Sequence, residues 1–302
     1  MKVDSLINLA EIKKIKYSLN EPMNVHTSFK IGGKADIFLL PTKTEQLFEI
    51  LLTCKENNIP YFILGNGSNL LVSDDGIEGA VISMTALNEI KLISETDIFA
   101  QSGASLTAVC VFACNNGLEG LEFAYGIPGS VGGALYMNAG AYGGEMAQVV
   151  SKAESICPEK YSNIVRNNAE MKLGYRKSIY EENGELITGI VFSLKKGDKK
   201  EISFRMDNFM NKRKSSQPLD FPSAGSTFKR PEGYFAAALI DECGLKGTAV
   251  GGAMVSEKHA GFIINKDKAT CNDVLDLIEE IKNTVKKEKG VLLQTEVIHI
   301  GR

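Results

Sequence analysis

A fold mixing helices and strands, divided among more than one core, is what this sequence predicts, from three observations. The chain has 302 residues, beyond the size at which a single hydrophobic core keeps growing, so two or three domains are expected. Stretches with apolar residues at helical spacing alternate with short β-branched and aromatic runs. Turns rich in Gly, Asn and Ser separate them, the densest near the middle of the chain.

The elements follow in order. Residues 1–16 mix charges with isolated apolar residues; neither a signal peptide nor a membrane-spanning helix is expected there. Residues 44–58 place Leu47, Ile50, Leu51 and Cys54 on one helical face. Tyr61-Phe62-Ile63-Leu64 then reads as a buried strand running into the polar turn Gly65-Asn66-Gly67-Ser68-Asn69 and the apolar pair Leu70-Leu71. This α/β unit is expected to close near residue 87. Ile90 to Ser102 is strand-like, and Leu106, Val109, Cys110 and Ala113 give a helical face ended by Gly117 as a C-terminal cap. Between about 146 and 202, alternating segments such as Ile187 to Leu194 read as strands of a mixed sheet. A boundary is expected near 203–220, where a helix-like segment ends at Ser215-Ser216-Gln217-Pro218. Helical patterns at 234–243 and 272–287, the second capped by Gly290, precede a final strand, Val291 to Ile300.

Charge and cysteine usage exclude several functions. A formal net charge of −3 gives no basic field for a nucleic-acid backbone, and Lys212-Arg213-Lys214 reads as a solvated helix end. Six cysteines form no C-x-x-C pair, and the three histidines are widely separated. No metal site is expected, and the chain reads as cytoplasmic and reduced.

Residues 126–143 crowd glycines among small and apolar residues without a charge. Such a stretch either lets an anionic group approach exposed backbone amides or makes a tightly packed turn between two elements. Three polar residues also stand out. Glu296 alternates onto a face with Leu292, Ile298 and Ile300, where a carboxylate is costly unless paired or used; an exposed face at a sheet edge is the alternative. Arg176, in Gly174-Tyr175-Arg176-Lys177-Ser178, suits a carboxylate or a developing oxyanion, although a surface salt bridge is the commoner fate of an arginine. Ser226 lacks a Gly-x-Ser-x-Gly elbow or a nearby histidine, so a hydrolase nucleophile is unsupported and a turn serine is the default.

The motifs also occur in a recognisable order. They are His26-Thr27-Ser28-Phe29-Lys30-Ile31-Gly32-Gly33, Leu64-Gly65-Asn66-Gly67-Ser68-Asn69-Leu70-Leu71, Gly126-Ile127-Pro128-Gly129-Ser130-Val131-Gly132-Gly133, Gly174-Tyr175-Arg176-Lys177-Ser178, Ala224-Gly225-Ser226-Thr227-Phe228-Lys229 and Gln294-Thr295-Glu296-Val297. Together, over nearly the whole chain from about residue 20, they closely resemble the UDP-N-acetylenolpyruvoylglucosamine reductase family. These flavoenzymes complete UDP-N-acetylmuramate for peptidoglycan.

The resemblance implies an FAD-binding half of the vanillyl-alcohol-oxidase type, made of two α+β subdomains (1–87 and 88–203), and a C-terminal α/β substrate domain (204–302). It implies non-covalent FAD held by Gly65, Asn66, Gly67, Ser68, Asn69, Gly126, Ile127, Pro128, Gly129, Ser130, Gly132 and Gly133, with side-chain bonds added by Ser68, Asn69 and Ser130. This differs from the Rossmann G-x-G-x-x-G turn, which is missing here. His26 then has a positional or packing role. NADPH is implied as reductant and UDP-N-acetylglucosamine enolpyruvate as substrate. Arg176 and Glu296, the latter held protonated by burial, would stabilise charge on the substrate carboxylate, and Ser226 would deliver a proton. Substrate contacts are expected from Tyr175, Lys229, Arg230, Gln217 and His259; the family often carries asparagine where Arg230 stands. The short interval from Arg176 to Ser226 implies the subtype lacking a tyrosine-bearing loop. A monomer is expected. A different flavin oxidase, or a non-catalytic nucleotide-binding scaffold, are the alternative readings.

Overall fold

A computed structural model describes residues 3–302. In chain order its elements are α1 (Asp4–Lys13), β1 (Lys16–Pro22), β2 (Lys34–Leu40), α2 (Thr44–Glu56), β3 (Tyr61–Leu64), β4 (Leu70–Val72), β5 (Ile77–Ser83), β6 (Ile90–Leu92) and β7 (Asp97–Gln101). Next come α3 (Leu106–Asn115), β8 (Leu118–Glu119), α4 (Val131–Tyr136), β9 (Gly140–Ala141), β10 (Gly144–Glu145), β11 (Val150–Cys157), β12 (Ser162–Asn167), α5 (Ile179–Asn183), β13 (Leu186–Ser193) and β14 (Lys195–Lys196). The remainder is α6 (Lys199–Ser216), α7 (Ala236–Glu242), β15 (Ala249–Val250), β16 (Ala253–Val255), β17 (Ile263–Asn265), α8 (Cys271–Lys289) and β18 (Ile298–Ile300).

Backbone contacts divide the chain into two compact units. Unit 1 comprises the chain up to Leu19, Ile37–Asn66 and Gly79–Lys212; unit 2 comprises Asn20–Asp36, Gly67–Glu78 and Arg213–Arg302. The chain passes between the units five times, the last time at Lys212–Arg213 within α6.

Besides the two-stranded pairs β10-β9 and β14-β8, unit 1 has two larger sheets, each with its own core. The first has strand order β1-β2-β5-β3, with β3 and β5 parallel. Helix α2 covers it with Leu47, Ile50, Leu51 and Cys54, all buried at i, i+3, i+4 and i+7 against Ile37, Leu39 and Ile82. The second sheet has order β12-β11-β13-β7-β6, antiparallel throughout. Its core joins Ile98 and Ala100 of β7, Val109, Cys110 and Ala113 of α3, and Ile190 and Phe192 of β13. The strand-like stretch from Ile90 is thus two strands: Ser94 accepts the Asp97 amide and donates to its carboxylate, turning the chain between them.

Unit 2 packs α7 and α8 with the three-stranded sheet β15-β16-β17. Helix α8 buries Val274, Leu277, Ile278, Ile281 and Val285 along one face. Thr270 and Asp273 form a capping box at its start, and Gly290, at φ 70°, closes its end. The expected strand from Val291 is shorter than predicted. Only Ile298–Ile300 forms β18, parallel to β4. Leu293 and Val297 are buried while Leu292 is 67% exposed, so the side that Glu296 shares with Leu292 is the outer one, not an enclosed apolar face.

All six cysteines are free thiols. Burial pushes Cys54, Cys110 and Cys271 up to about 12, which makes them inert packing residues. Among the described residues no His/Cys/Asp/Glu cluster could hold a metal, and no helix is long and apolar enough to cross a membrane.

Candidate active site

In unit 1 the glycine-rich run is zipped onto the segment before α3. Leu106 N–H donates to Gly129 O (3.1 Å), Val131 N–H to Ala104 O (2.8 Å) and Gly132 N–H to Ser102 O (2.7 Å). A Cβ on Gly132 would stand 2.8 Å from Ser102 Cβ. One on Gly65, at the end of β3, would stand 2.3 Å from Ser130 Oγ. Glycine at both positions therefore answers a packing demand, and Asn66 Nδ2 links the same two turns by donating to Pro128 O (3.1 Å).

Packing does not account for the whole run. Gly129 and Ser130 are buried, yet neither N–H reaches a protein acceptor among the described residues. Buried amides are normally paired; two left open on one turn fit an anionic group such as a cofactor pyrophosphate. The Ser130 side chain is already engaged, since its Oγ caps α4 by accepting Gly133 N–H (3.3 Å).

Arg176 also belongs to unit 1. It sits at the third position of a tight turn closed by Gly174 N–H to Lys177 O (3.0 Å) and Lys177 N–H to Gly174 O (3.1 Å). Its backbone is left-handed, φ 52°. The guanidinium reaches Gly140 O (3.3 Å) and lies 5.0 Å from the Tyr175 ring centroid, with Tyr175 52% exposed. Two buried polar side chains that the sequence alone does not single out hold this turn. Asn138 Nδ2 donates to Gly174 O (2.9 Å) while its Oδ1 accepts Ala147 N–H (2.9 Å), and Ser178 Oγ donates to Tyr136 O (2.7 Å). A lone asparagine in the apolar glycine run was the signal available for the first.

Ser226 and Glu296 belong to unit 2, on adjacent segments. Phe228 pairs with Thr295 in an antiparallel bridge flanked by Glu296 N–H to Thr227 O (2.8 Å) and Lys229 N–H to Gln294 O (2.8 Å). The ladder stops beyond Thr227 and Glu296. Thr227 N–H turns to Gly261 O (2.8 Å), and Glu296 O accepts Asn69 Nδ2 (3.0 Å). Ser226, one residue past the ladder, is exposed; Glu296 is half-buried rather than enclosed.

Asn69, expected to contact a cofactor, thus has its amide committed to the Glu296 segment. Ser68 Oγ makes no protein hydrogen bond among the described residues. Ser28 N–H donates to Gly67 O (3.1 Å) and Ser28 Oγ to Ser223 O (2.7 Å). His26 Nε2 lies 2.8 Å from Glu21 Oε1, in keeping with a positional role.

The expected substrate contacts in unit 2 divide. Lys229 and Arg230 continue the Ser226 segment, Arg230 with its guanidinium 4.5 Å from the Phe235 ring centroid. His259 lies in the turn before Gly261. Its Nδ1 accepts Gly261 N–H (3.1 Å) and its ring meets Phe262 edge-on, an arrangement that needs the neutral imidazole, and burial lowers its pKa. Gln217 follows α6 and is tied there by its N–H to Arg213 O (2.8 Å); among the described residues no hydrogen bond joins it to Ser226.

Comparison with known proteins gives a consistent result. Residues 217–300 match the family model "UDP-N-acetylenolpyruvoylglucosamine reductase, C-terminal domain", and residues 35–159 match "FAD binding domain". The UDP-N-acetylenolpyruvoylglucosamine reductase of Clostridium novyi (strain NT) is 52% identical over 99% of this chain and 95% of its own. That of Clostridium kluyveri (strain NBRC 12016) is 49% identical over 99% of this chain and 98% of its own. The crystal structure of the Thermus caldophilus UDP-N-acetylenolpyruvylglucosamine reductase superimposes with a TM-score of 0.80 at 35% identity, covering 94% of this chain and 98% of that one.

Proposed function

The chain belongs to the UDP-N-acetylenolpyruvoylglucosamine reductase family, and from that premise we propose how its own residues carry the family's reaction. It is an FAD-dependent oxidoreductase that reduces the enolpyruvyl group of UDP-N-acetylglucosamine enolpyruvate to UDP-N-acetylmuramate, a peptidoglycan precursor, with NADPH as reductant. Bound FAD would supply the hydride chemistry for the enolpyruvyl double bond.

Hydride addition leaves an electron pair on the carbon next to the substrate carboxylate, delocalised onto its oxygens; a proton on that carbon completes the reduction. Preorganised donors that meet this charge lower the barrier. Arg176 is assigned to the carboxylate, because its planar guanidinium stays charged and offers paired donors. Glu296 is assigned to the substrate carboxylate as well, to which only its protonated form can donate. Ser226 gives its hydroxyl proton to the adjacent carbon, a role open to so weak an acid only beside a strongly basic centre. The observation that carries these two assignments is the backbone pairing that sets the Ser226 and Glu296 segments side by side.

The Gly129 and Ser130 amides are assigned to the FAD pyrophosphate. Gly65, Asn66, Gly126, Ile127, Pro128, Gly132 and Gly133 shape that turn; Gly67 and Ser68 are assigned to the same ligand, and Asn69 through its backbone alone, since its side-chain amide is taken by Glu296 O. Tyr175, Lys229 and Arg230 are assigned to the substrate, Gln217 and His259 in lesser roles. The three segments 1–87, 88–203 and 204–302 serve as two FAD-binding subdomains and a substrate domain. A cytoplasmic monomer acting in cell-wall synthesis completes the reading.

The test is anaerobic. The FAD-loaded protein, reduced by NADPH, is mixed with UDP-N-acetylglucosamine enolpyruvate. Recovery of oxidised-flavin absorbance with formation of UDP-N-acetylmuramate is expected; absorbance that stays bleached would overturn the function.

A further inference from the structure

Arg176 occupies a conformation that disfavours it. Tyr175 and Arg176 are the central residues of the Gly174–Lys177 turn, and a positive φ at the second of these is the place of glycine or asparagine. A side chain held there needs its surroundings to fix the backbone.

The surroundings that do so converge on the end of α4. Asn138 N–H donates to Leu135 O (3.0 Å) and Ala139 N–H to Ala134 O (2.7 Å), the two bonds of a helix terminus closed by a left-handed residue. Asn138 is that residue, φ 41° and fully buried. Glycine is the usual choice at this place, for it has no Cβ to clash. Asparagine adds only its amide, and both ends of that amide are used: Nδ2 on Gly174 O, just before Arg176, and Oδ1 on Ala147 N–H. On the far side of the turn, buried Ser178 ties its hydroxyl to Tyr136 O, two residues before Asn138.

We infer that Asn138, with Ser178 as second anchor, is a positioning residue that fixes the left-handed Arg176 turn and so aims the guanidinium at the substrate carboxylate. The inference rests on the reading of Arg176 given above. It implies that the asparagine serves the turn rather than the helix end, which glycine would close equally well.

Asn138→Gly separates the two roles. It keeps the helix terminus and removes the amide; Asn138→Asp, nearly isosteric, replaces the donor to Gly174 O with a carboxylate. Both half-reactions are followed by stopped-flow flavin absorbance. NADPH-driven reduction is expected to stay within about twofold of the parent, whereas reoxidation by substrate slows by about tenfold to a hundredfold, the scale of a small misplacement of a reacting group. In an Arg176→Ala background, Asn138→Gly should add almost nothing, because the group it positions is gone.

Reoxidation at parental rate in both variants would overturn the inference. So would an equal slowing of both half-reactions, or a full additional loss in the Arg176→Ala background. If Arg176→Ala alone left reoxidation intact, the reading of Arg176 would be the part that fails.

Discussion

The Arg176 turn and the Ser226–Glu296 pair are built on opposite principles. The first is a strained two-residue turn whose flanks are pinned by the side chains of Asn138 and Ser178. The second is an unstrained pairing of extended segments, held by the backbone bonds of Thr227, Lys229, Gln294 and Glu296. Backbone bonds survive most substitutions, while a side-chain clamp is lost with one residue. The Arg176 side should therefore be fragile toward residues that never touch substrate, and the Ser226 side tolerant of its neighbours.

Within this comparison the largest effect is expected at Arg176 itself, with Glu296 next. Arg176→Ala should slow flavin reoxidation by substrate about 10²- to 10³-fold, the scale of losing a donor to developing charge. Glu296→Gln keeps a donor and should lose less. Stopped-flow measurement of both half-reactions checks this, with NADPH-driven reduction unchanged in each.

The contrast between clamp and ladder sharpens one step down. Ser178→Ala removes the bond to Tyr136 O and should slow reoxidation by about tenfold. Thr295→Val sits within the backbone pairing and should change it by less than about twofold. A larger loss from Thr295→Val than from Ser178→Ala would invert the comparison.

Gly65→Ala probes the packed turn. Its Cβ would lie 2.3 Å from Ser130 Oγ, an overlap that costs about 1–3 kcal/mol in a well-packed site. Thermal unfolding with and without added FAD should show a lower midpoint and weaker stabilisation by FAD.

The smallest effect concerns pH. Burial holds His259 below its ordinary pKa, and its Nδ1 accepts a backbone N–H. The unfolded chain, near the ordinary value of about 6.5, then binds the extra proton first. This contribution is complete above that pH and declines as pH falls toward the lower folded value. Denaturant midpoints between pH 7 and pH 5 should therefore drop more steeply for the parent than for His259→Gln.

How much of this was legible in sequence depends on what holds each part. Helices α2 and α8 were visible because one apolar stripe and a cap define each of them. The stretch from Val291 was misread because its bonds run to Thr227 and Lys229, partners remote in sequence that no local alternation encodes. Arg176, Ser226 and Glu296 stood out as polar residues in unexpected settings. Asn138 did not, since its function lies in tertiary hydrogen bonds and a left-handed φ. Gly65 and Gly132 were read for a ligand, yet close packing against Ser130 and Ser102 already demands them.

Proton delivery by Ser226 is the central chemical claim. The measurement that meets it most directly is the pair of half-reactions in Ser226→Ala. Flavin reduction by NADPH should proceed at nearly the parental rate, while reoxidation by UDP-N-acetylglucosamine enolpyruvate slows by orders of magnitude. Equal slowing of the two half-reactions, or reoxidation at the parental rate, would contradict it.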